Sequence, residues 1–125
     1  MKYLLDSNII IKLALGIGDA LRARLAECDE GDLVTSAIAF AEVAYGSLNH
    51  KPPPIEQLHA FIEEVPILDF DHKAALTYAS LPFKRASYDR LIAAHALSQA
   101  LVVVTDNEAH FTDIPGLKVE NWTLP

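Results

Sequence analysis

The strongest constraint on this chain is a set of short, continuous apolar runs. KYLL (2–5), DLVTS (32–36), PILDF (66–70) and ALVVVT (100–105) do not alternate apolar with polar residues. A strand with one wet face alternates, whereas a strand covered on both faces does not. Helix-like segments separate the runs. Residues 8–14 and 18–28 read as helices divided by Gly16 and Gly18. AIAFAEVAYGSL (37–48) reads as a third helix, and IEQLHAFIEEV (55–65) as an amphipathic one after the KPPP break. DHKAALTYASL (71–81) reads as a helix capped by Asp71, residues 87–99 as the last helix, and LKVEN (117–121) as a final strand. Strands alternating with helices predict an α/β fold, with helices on both faces of a mostly parallel sheet. No stretch is long enough to act as a linker, so residues 1–125 are expected to form one domain.

Composition limits what such a domain does. Apolar residues make up 51% of the chain, enough for a real core, yet no apolar run reaches the ~18 residues of a membrane span. Met1 leads straight into a strand pattern, so no secretory leader and a cytoplasmic location are expected. The single cysteine, Cys28, has no disulfide partner and reads as a half-buried helix residue in a reducing compartment. The formal net charge of −7 excludes a sequence-independent nucleic-acid binder with an extended basic face. It leaves room for an enzyme that meets phosphates through bound cations, and it suits capture of a basic partner segment.

The informative residues are isolated acids. Asp6 directly follows YLL and is the only charge between Tyr3 and Ile11; Glu42 is the only charge between Leu33 and Leu48. The neighbours of Glu42 at three and four residues are Ile38, Ala39, Tyr45 and Gly46, which predicts an inward, core-facing position. Asp89 heads the segment SYDRLIAAHALS, and Asp106 closes the run LVVVT. Each has an ordinary explanation: Asp6 as a helix cap, Asp89 as a partner of a helix dipole, Asp106-Asn107 as a turn. Glu42 resists one, because an unpaired buried carboxylate is costly and no basic residue precedes it by fewer than sixteen positions. In an open parallel sheet the carboxyl ends of the strands share one edge, where ligands bind. Asp6 and Asp106 are expected at that crevice, with Glu42 and Asp89 reaching it from helices.

Carboxylates gathered there would repel by ~4 kcal/mol per pair at ~4 Å and an effective dielectric near 20. A hard divalent cation relieves that, and Mg²⁺ or Mn²⁺ favours oxygen ligands. The histidines, His50, His59, His72, His95 and His110, show no zinc spacing. His95, on the LIAAHALS segment, reads as a packed or rim residue.

Taken together, LLDSN (4–8), AEVAYG (41–46), YDRLIAAHALS (88–98), VVVTDN (102–107) and HFTDIPGLKVENW (110–122) resemble a PIN-domain ribonuclease. More narrowly, they resemble the VapC-like toxins of type II toxin–antitoxin pairs. The resemblance runs nearly end to end. It implies a three-layer α/β/α PIN-like fold with about five strands. It also implies an acidic site that holds Mg²⁺ or Mn²⁺ and hydrolyses single-stranded RNA, leaving 5′-phosphate and 3′-hydroxyl ends. By motif, Asp6, Glu42 and Asp89 are matched to catalytic acids, with Asp6 and Asp89 as metal ligands. Thr105 matches the strand-end threonine. The fourth acid of the pattern falls on Asn107, with Asp106 one place earlier, so Asp106 is the remaining catalytic candidate. Lys84, Arg85 and Arg90, the local basic cluster, read either as phosphate contacts at the crevice rim or as a solvated surface. The resemblance further implies a homodimer and a cognate antitoxin. An antitoxin arginine inserted among the acids would inhibit, beside an apolar groove walled by residues such as Leu13, Leu15, Ile17 and Tyr45.

Two other readings remain at this point. A phospho-receiver-like signalling module would use Asp69 or Asp71 as acceptor, Thr105 as switch and Lys118 as partner. It expects an adjacent acid pair after the first strand, which LLDSN lacks. A catalytically inactive PIN-type binding protein is the other, suggested by Asn107.

Overall fold

The computed structural model describes residues 1–125. Five short strands, β1 (Tyr3–Leu5), β2 (Leu33–Ser36), β3 (Ile67–Leu68), β4 (Val102–Val104) and β5 (Val119–Glu120), form one sheet in the order β3-β2-β1-β4-β5. Every pairing is parallel, and Leu5 stands opposite both Thr35 and Val104. The helices are α1 (Ser7–Leu15), α2 (Asp19–Ala26), α3 (Ala37–Leu48), α4 (Ile55–Glu64), α5 (His72–Ala79) and α6 (Tyr88–Ser98), with a 3-10 turn at Glu108–Phe111. The expected elements are present, each within a few residues of its predicted bounds. The 3-10 turn was not expected. The second helix stops at Ala26, so Cys28 lies just past it, half-buried, and burial pushes its thiol pKa up.

The chain steps outward from β1 to β2 and β3, then crosses back to lay β4 on the other side of β1. Parallel strands need crossover helices, and right-handed crossovers in opposite directions place them on opposite faces. Accordingly α1, α3 and α4 pack together and α5 packs on α6, with α3 and α6 also in contact. The reversal falls between β1 and β4, which is where an open sheet leaves a crevice at its carboxyl edge.

Local sequence explains the helix ends. Asp6 is the N-cap of α1, with its side chain accepting from the Ser7 N–H, and Gly16, at φ 69°, closes the helix in the left-handed conformation that glycine adopts without strain. Asp71 caps α5 by accepting from Ala74 N–H, and Ser87 caps α6 by accepting from Arg90 N–H. The core holds Leu4, Leu5, Val103 and Val104 from the central strands against Ile9, Ile10, Ile92, Ala93, Ala96 and Phe111. The alanines let α6 lie close to the sheet, and Ile92, Ala93, Ala94, His95 and Ala96 are all fully buried. His95 is therefore a packed residue. Its Nδ1 lies 2.8 Å from Ser36 Oγ, and burial lowers its pKa.

One placement is corrected. α3 turns Ala39 and Val43 into the core. Glu42 lies instead on a neighbouring stripe with Ile38, Ala41 and Tyr45, which lines an open cavity. α3 is apolar around most of its circumference, so periodicity alone could not choose the inner stripe.

The phospho-receiver reading also ends here. β3 and β5 occupy opposite edges of the sheet, which separates Asp69 from Lys118, and Asp71 is committed to capping α5.

Candidate active site

The reversal between β1 and β4 builds the site from its two strand ends. Asp6 follows β1 and is only 2% exposed. Its Oδ1 accepts from Ser7 N–H at 2.8 Å, and its Oδ2 accepts from Thr105 Oγ1, at the end of β4, at 2.8 Å. Thr105 Oγ1 in turn accepts from Asn107 N–H at 3.0 Å. The cap explanation for Asp6 and its placement at the crevice are thus both correct: the carboxylate starts α1 and joins the two strands at once.

Three other acids surround it. Burial is the main cause that raises the pKa of Asp6; its two hydrogen bonds oppose the rise, and the charges of Asp89 and Asp106 add to it. Burial likewise raises Glu42, to about 7, with further contributions from Asp6 and Asp89. Glu42 Oε1 is buried with no hydrogen-bond partner in the protein, and so is Asn8 Oδ1, two residues after Asp6. Asp89, in the first turn of α6, meets His110 Nδ1 at 2.9 Å. Asp106 is engaged by Lys12 Nζ at 2.7 Å. The acids act on one another electrically, yet no three Asp, Glu, His or Cys side chains stand close enough to share one ion. The expected convergence is therefore a shared field, and a closed ligand cage is absent.

The basic cluster behaves differently from expectation. Arg90 is 6% exposed, donating to Pro82 O at 2.5 Å and to Asp113 at 3.4 Å. Lys84 is bound to Asp113 at 2.6 Å, a hydrogen bond that leads the causes holding the Asp113 carboxyl below its usual range. Of the three, only Arg85 has no ion pair. A cavity of about 400 Å³ beside Asp89 is lined by Lys84, Arg85 and His110 among others.

Sequence reasoning missed Lys12 and His110. Each meets its acid across the fold, 94 and 21 residues away, and no local pattern marks either.

This strand-end arrangement coincides with the match to a known family, because the sequence model of the PIN domain matches residues 3–117. The chain belongs to the PIN-domain family. Among its relatives, the tRNA(fMet)-specific endonuclease VapC of Salmonella typhimurium is 30% identical over 131 residues, covering 98% of each chain. Ribonuclease VapC1 of Haemophilus influenzae strain R2866 is 33% identical over 134 residues, covering 98% of this chain and 99% of that one. Among solved structures, VapBC2 from Rickettsia felis bound to a DNA fragment from their promoter superposes with a TM-score of 0.81 at 28% identity, covering 98% and 99%. The expected three-layer PIN fold is the observed one.

The residues fit the divalent cation that this fold implies. All four acids offer hard oxygen donors, Glu42 Oε1 has no partner in the protein, and neither Asp6 nor Glu42 is paired with a lysine or arginine. Mg²⁺ commonly takes one or two carboxylates and completes its shell with water and substrate phosphate, so a site without three clustered side chains suffices.

Proposed function

We propose that this chain is a VapC-like endoribonuclease that cleaves single-stranded RNA with Mg²⁺ or Mn²⁺, acting as the toxin of a type II toxin–antitoxin pair. The observation that carries the reading is the buried Asp6–Thr105 junction at the strand reversal, with Glu42 unpaired beside it. Asp6 and Asp89 would hold the cation, with Glu42 as an additional ligand or orienting group. Bound there, a divalent cation lowers the pKa of a coordinated water and stabilises charge on the phosphate oxygens.

The protein's own groups have separable tasks. Thr105 and Ser7 N–H fix both oxygens of Asp6, so its carboxylate needs no rearrangement when it binds. His110 orients Asp89. Glu42, whose Oε1 has no partner in the protein, would turn its carboxylate toward the cation or a water bound to it. Asp106 adds negative potential at the rim while Lys12 holds it in place.

The antitoxin has a fitting surface. A groove of about 470 Å³ has an apolar floor including Leu13, Leu25 and Phe61 and an acidic rim of Asp29, Glu30, Glu63 and Glu64. A basic amphipathic segment would bury its apolar face there and pair its charges with the rim. Of the four expected wall residues, Leu13 lines this groove; Tyr45 lines another cavity, and Leu15 and Ile17 line neither. The groove, at the amino ends of β2 and β3, lies across the sheet from the acids rather than beside them. We also propose a homodimer.

Purified protein should cleave a single-stranded RNA when Mg²⁺ or Mn²⁺ is added and stop with EDTA. Asp89→Asn should remain folded and lose cleavage. Metal-independent cleavage, or equal cleavage by the variant, contradicts the reading. Folded wild-type protein that cleaves no RNA would support the inactive binding protein.

A further inference from the structure

The second stripe of α3 is only partly used by the fold: Ile38 packs against the core, while Tyr45 is left exposed. Ile38, Ala41, Glu42 and Tyr45, at helical spacing, line a cavity of about 450 Å³ with Tyr88 from the start of α6. Tyr45 and Tyr88 are 74% and 62% exposed. Tyr88 immediately precedes Asp89, and Tyr45 lies one turn from Glu42, so the cavity adjoins the carboxylate crevice. Asp89 itself lines the cavity that holds Arg85 and His110. The crevice thus has an aromatic side and a cationic side.

We infer that the Tyr45–Tyr88 cavity is a subsite for one unpaired nucleobase of the RNA strand, next to the phosphate that is cut. The inference rests on the ribonuclease reading of the crevice and adds how the strand is gripped. Two observations favour a base as the occupant. Exposed tyrosines supply flat π-faces, on which any base stacks. Second, backbone charge is a poor grip for this protein. Its net charge is −7, and of Lys84, Arg85 and Arg90 only Arg85 is free of an ion pair. Stacking has to supply what phosphate contacts do not.

The test is a set of single-stranded oligoribonucleotides carrying one abasic residue at successive positions around the cut. Wild-type protein should lose roughly 5- to 150-fold in kcat/KM when the abasic residue falls at one position, the range that loss of one stacked base implies. Tyr45→Ala combined with Tyr88→Ala should lose a similar factor on intact RNA, mainly through KM, and show no further loss on the abasic strand. The corresponding phenylalanine pair keeps the π-faces and should cleave like wild type. Both positions are exposed, so unchanged melting temperatures will separate this effect from misfolding. An alanine pair that cleaves intact RNA as well as wild type, or that keeps the abasic penalty, overturns the subsite and leaves the ribonuclease reading standing. An alanine pair with normal cleavage but weakened antitoxin capture overturns it in favour of a protein-docking face. Wild-type protein that neither cleaves nor binds any of the strands overturns both.

Discussion

Acids in two regions of this molecule are handled in opposite ways. In the Trp122 corner, Glu120 accepts from Trp122 Nε1 at 2.8 Å and from Arg24 at 3.0 Å, and the Arg24 guanidinium lies 4.9 Å from the Trp122 ring. The acid there is matched by a full positive charge and an aromatic edge, and the corner fastens α2 to the end of β5. In the crevice only Asp106 is held by a cation, Lys12, at 2.7 Å; Asp6 receives only neutral donors, Asp89 meets a histidine, and Glu42 Oε1 receives nothing. Acids that hold a fold together are paired with cations from the same chain. Asp6 and Glu42, whose pKa values burial raises and which no cation of the chain meets, are arranged for a positive group that comes from outside.

If that contrast is functional, removing charge in the two regions should have unequal consequences. Asp6→Asn or Asp89→Asn should lower RNA cleavage by about a thousandfold or more, since metal stabilisation of transition-state charge supplies several kcal/mol. Arg24→Ala should leave cleavage per folded molecule within about twofold. Initial rates on one oligoribonucleotide at matched folded concentrations check both.

The next effect is on the junction itself. Thr105→Val keeps shape and removes the donor to Asp6 Oδ2 and the acceptor for Asn107 N–H. Leaving such buried groups unsatisfied costs about 1–3 kcal/mol, readable as a lower urea midpoint with unchanged slope. Thr105→Ser, which keeps the hydroxyl, should recover most of it.

Glu42 predicts a pH effect of known sign. Its folded pKa, about 7, lies above the ordinary 4.5, so the folded state holds the proton more tightly. In metal-free protein its contribution to stability is fully present below about 4.5 and is lost as pH rises through about 7. With its solvent-facing part discounted, the loss should be about 1–2 kcal/mol. Glu42→Gln should flatten the decline in a urea series from pH 5 to 8. An equally steep series for the variant would show that Glu42 does not carry it. The smallest effect belongs to the half-exposed corner. Arg24→Ala should cost about 1 kcal/mol through the lost ring contact and ion pair, measured by the same denaturation.

These residues also show what a sequence can carry. The strands were legible because ALVVVT and KYLL lack alternation, and their order of appearance fixed a parallel sheet. Asp6 and Asp106 were legible at the crevice because a strand end is a local feature. Glu42 was legible as an isolated acid, yet its stripe was assigned to the core when it faces a cavity. A helix apolar around most of its circumference gives no periodic signal to separate the two. The partners Lys12 and His110 were invisible, since the β1–β4 pairing brings Lys12 to Asp106 and the turn after β4 returns His110 to the start of α6. The roles of Lys84 and Arg90 were hidden likewise: Asp113, which occupies both, lies beyond β4 in the chain.

The most direct test of the contrast is the melting temperature of three proteins with and without excess Mn²⁺ at pH 8. A ligand that binds only the folded state at a hundredfold over its Kd stabilises by about 2.7 kcal/mol, or roughly 10 °C for a chain of this size. Wild type should rise by that amount, Glu120→Gln should rise equally from a slightly lower start, and Asp6→Asn should not rise at all. Equal increments in all three, or none in wild type, would contradict the claim that the crevice acids are arranged for a metal ion.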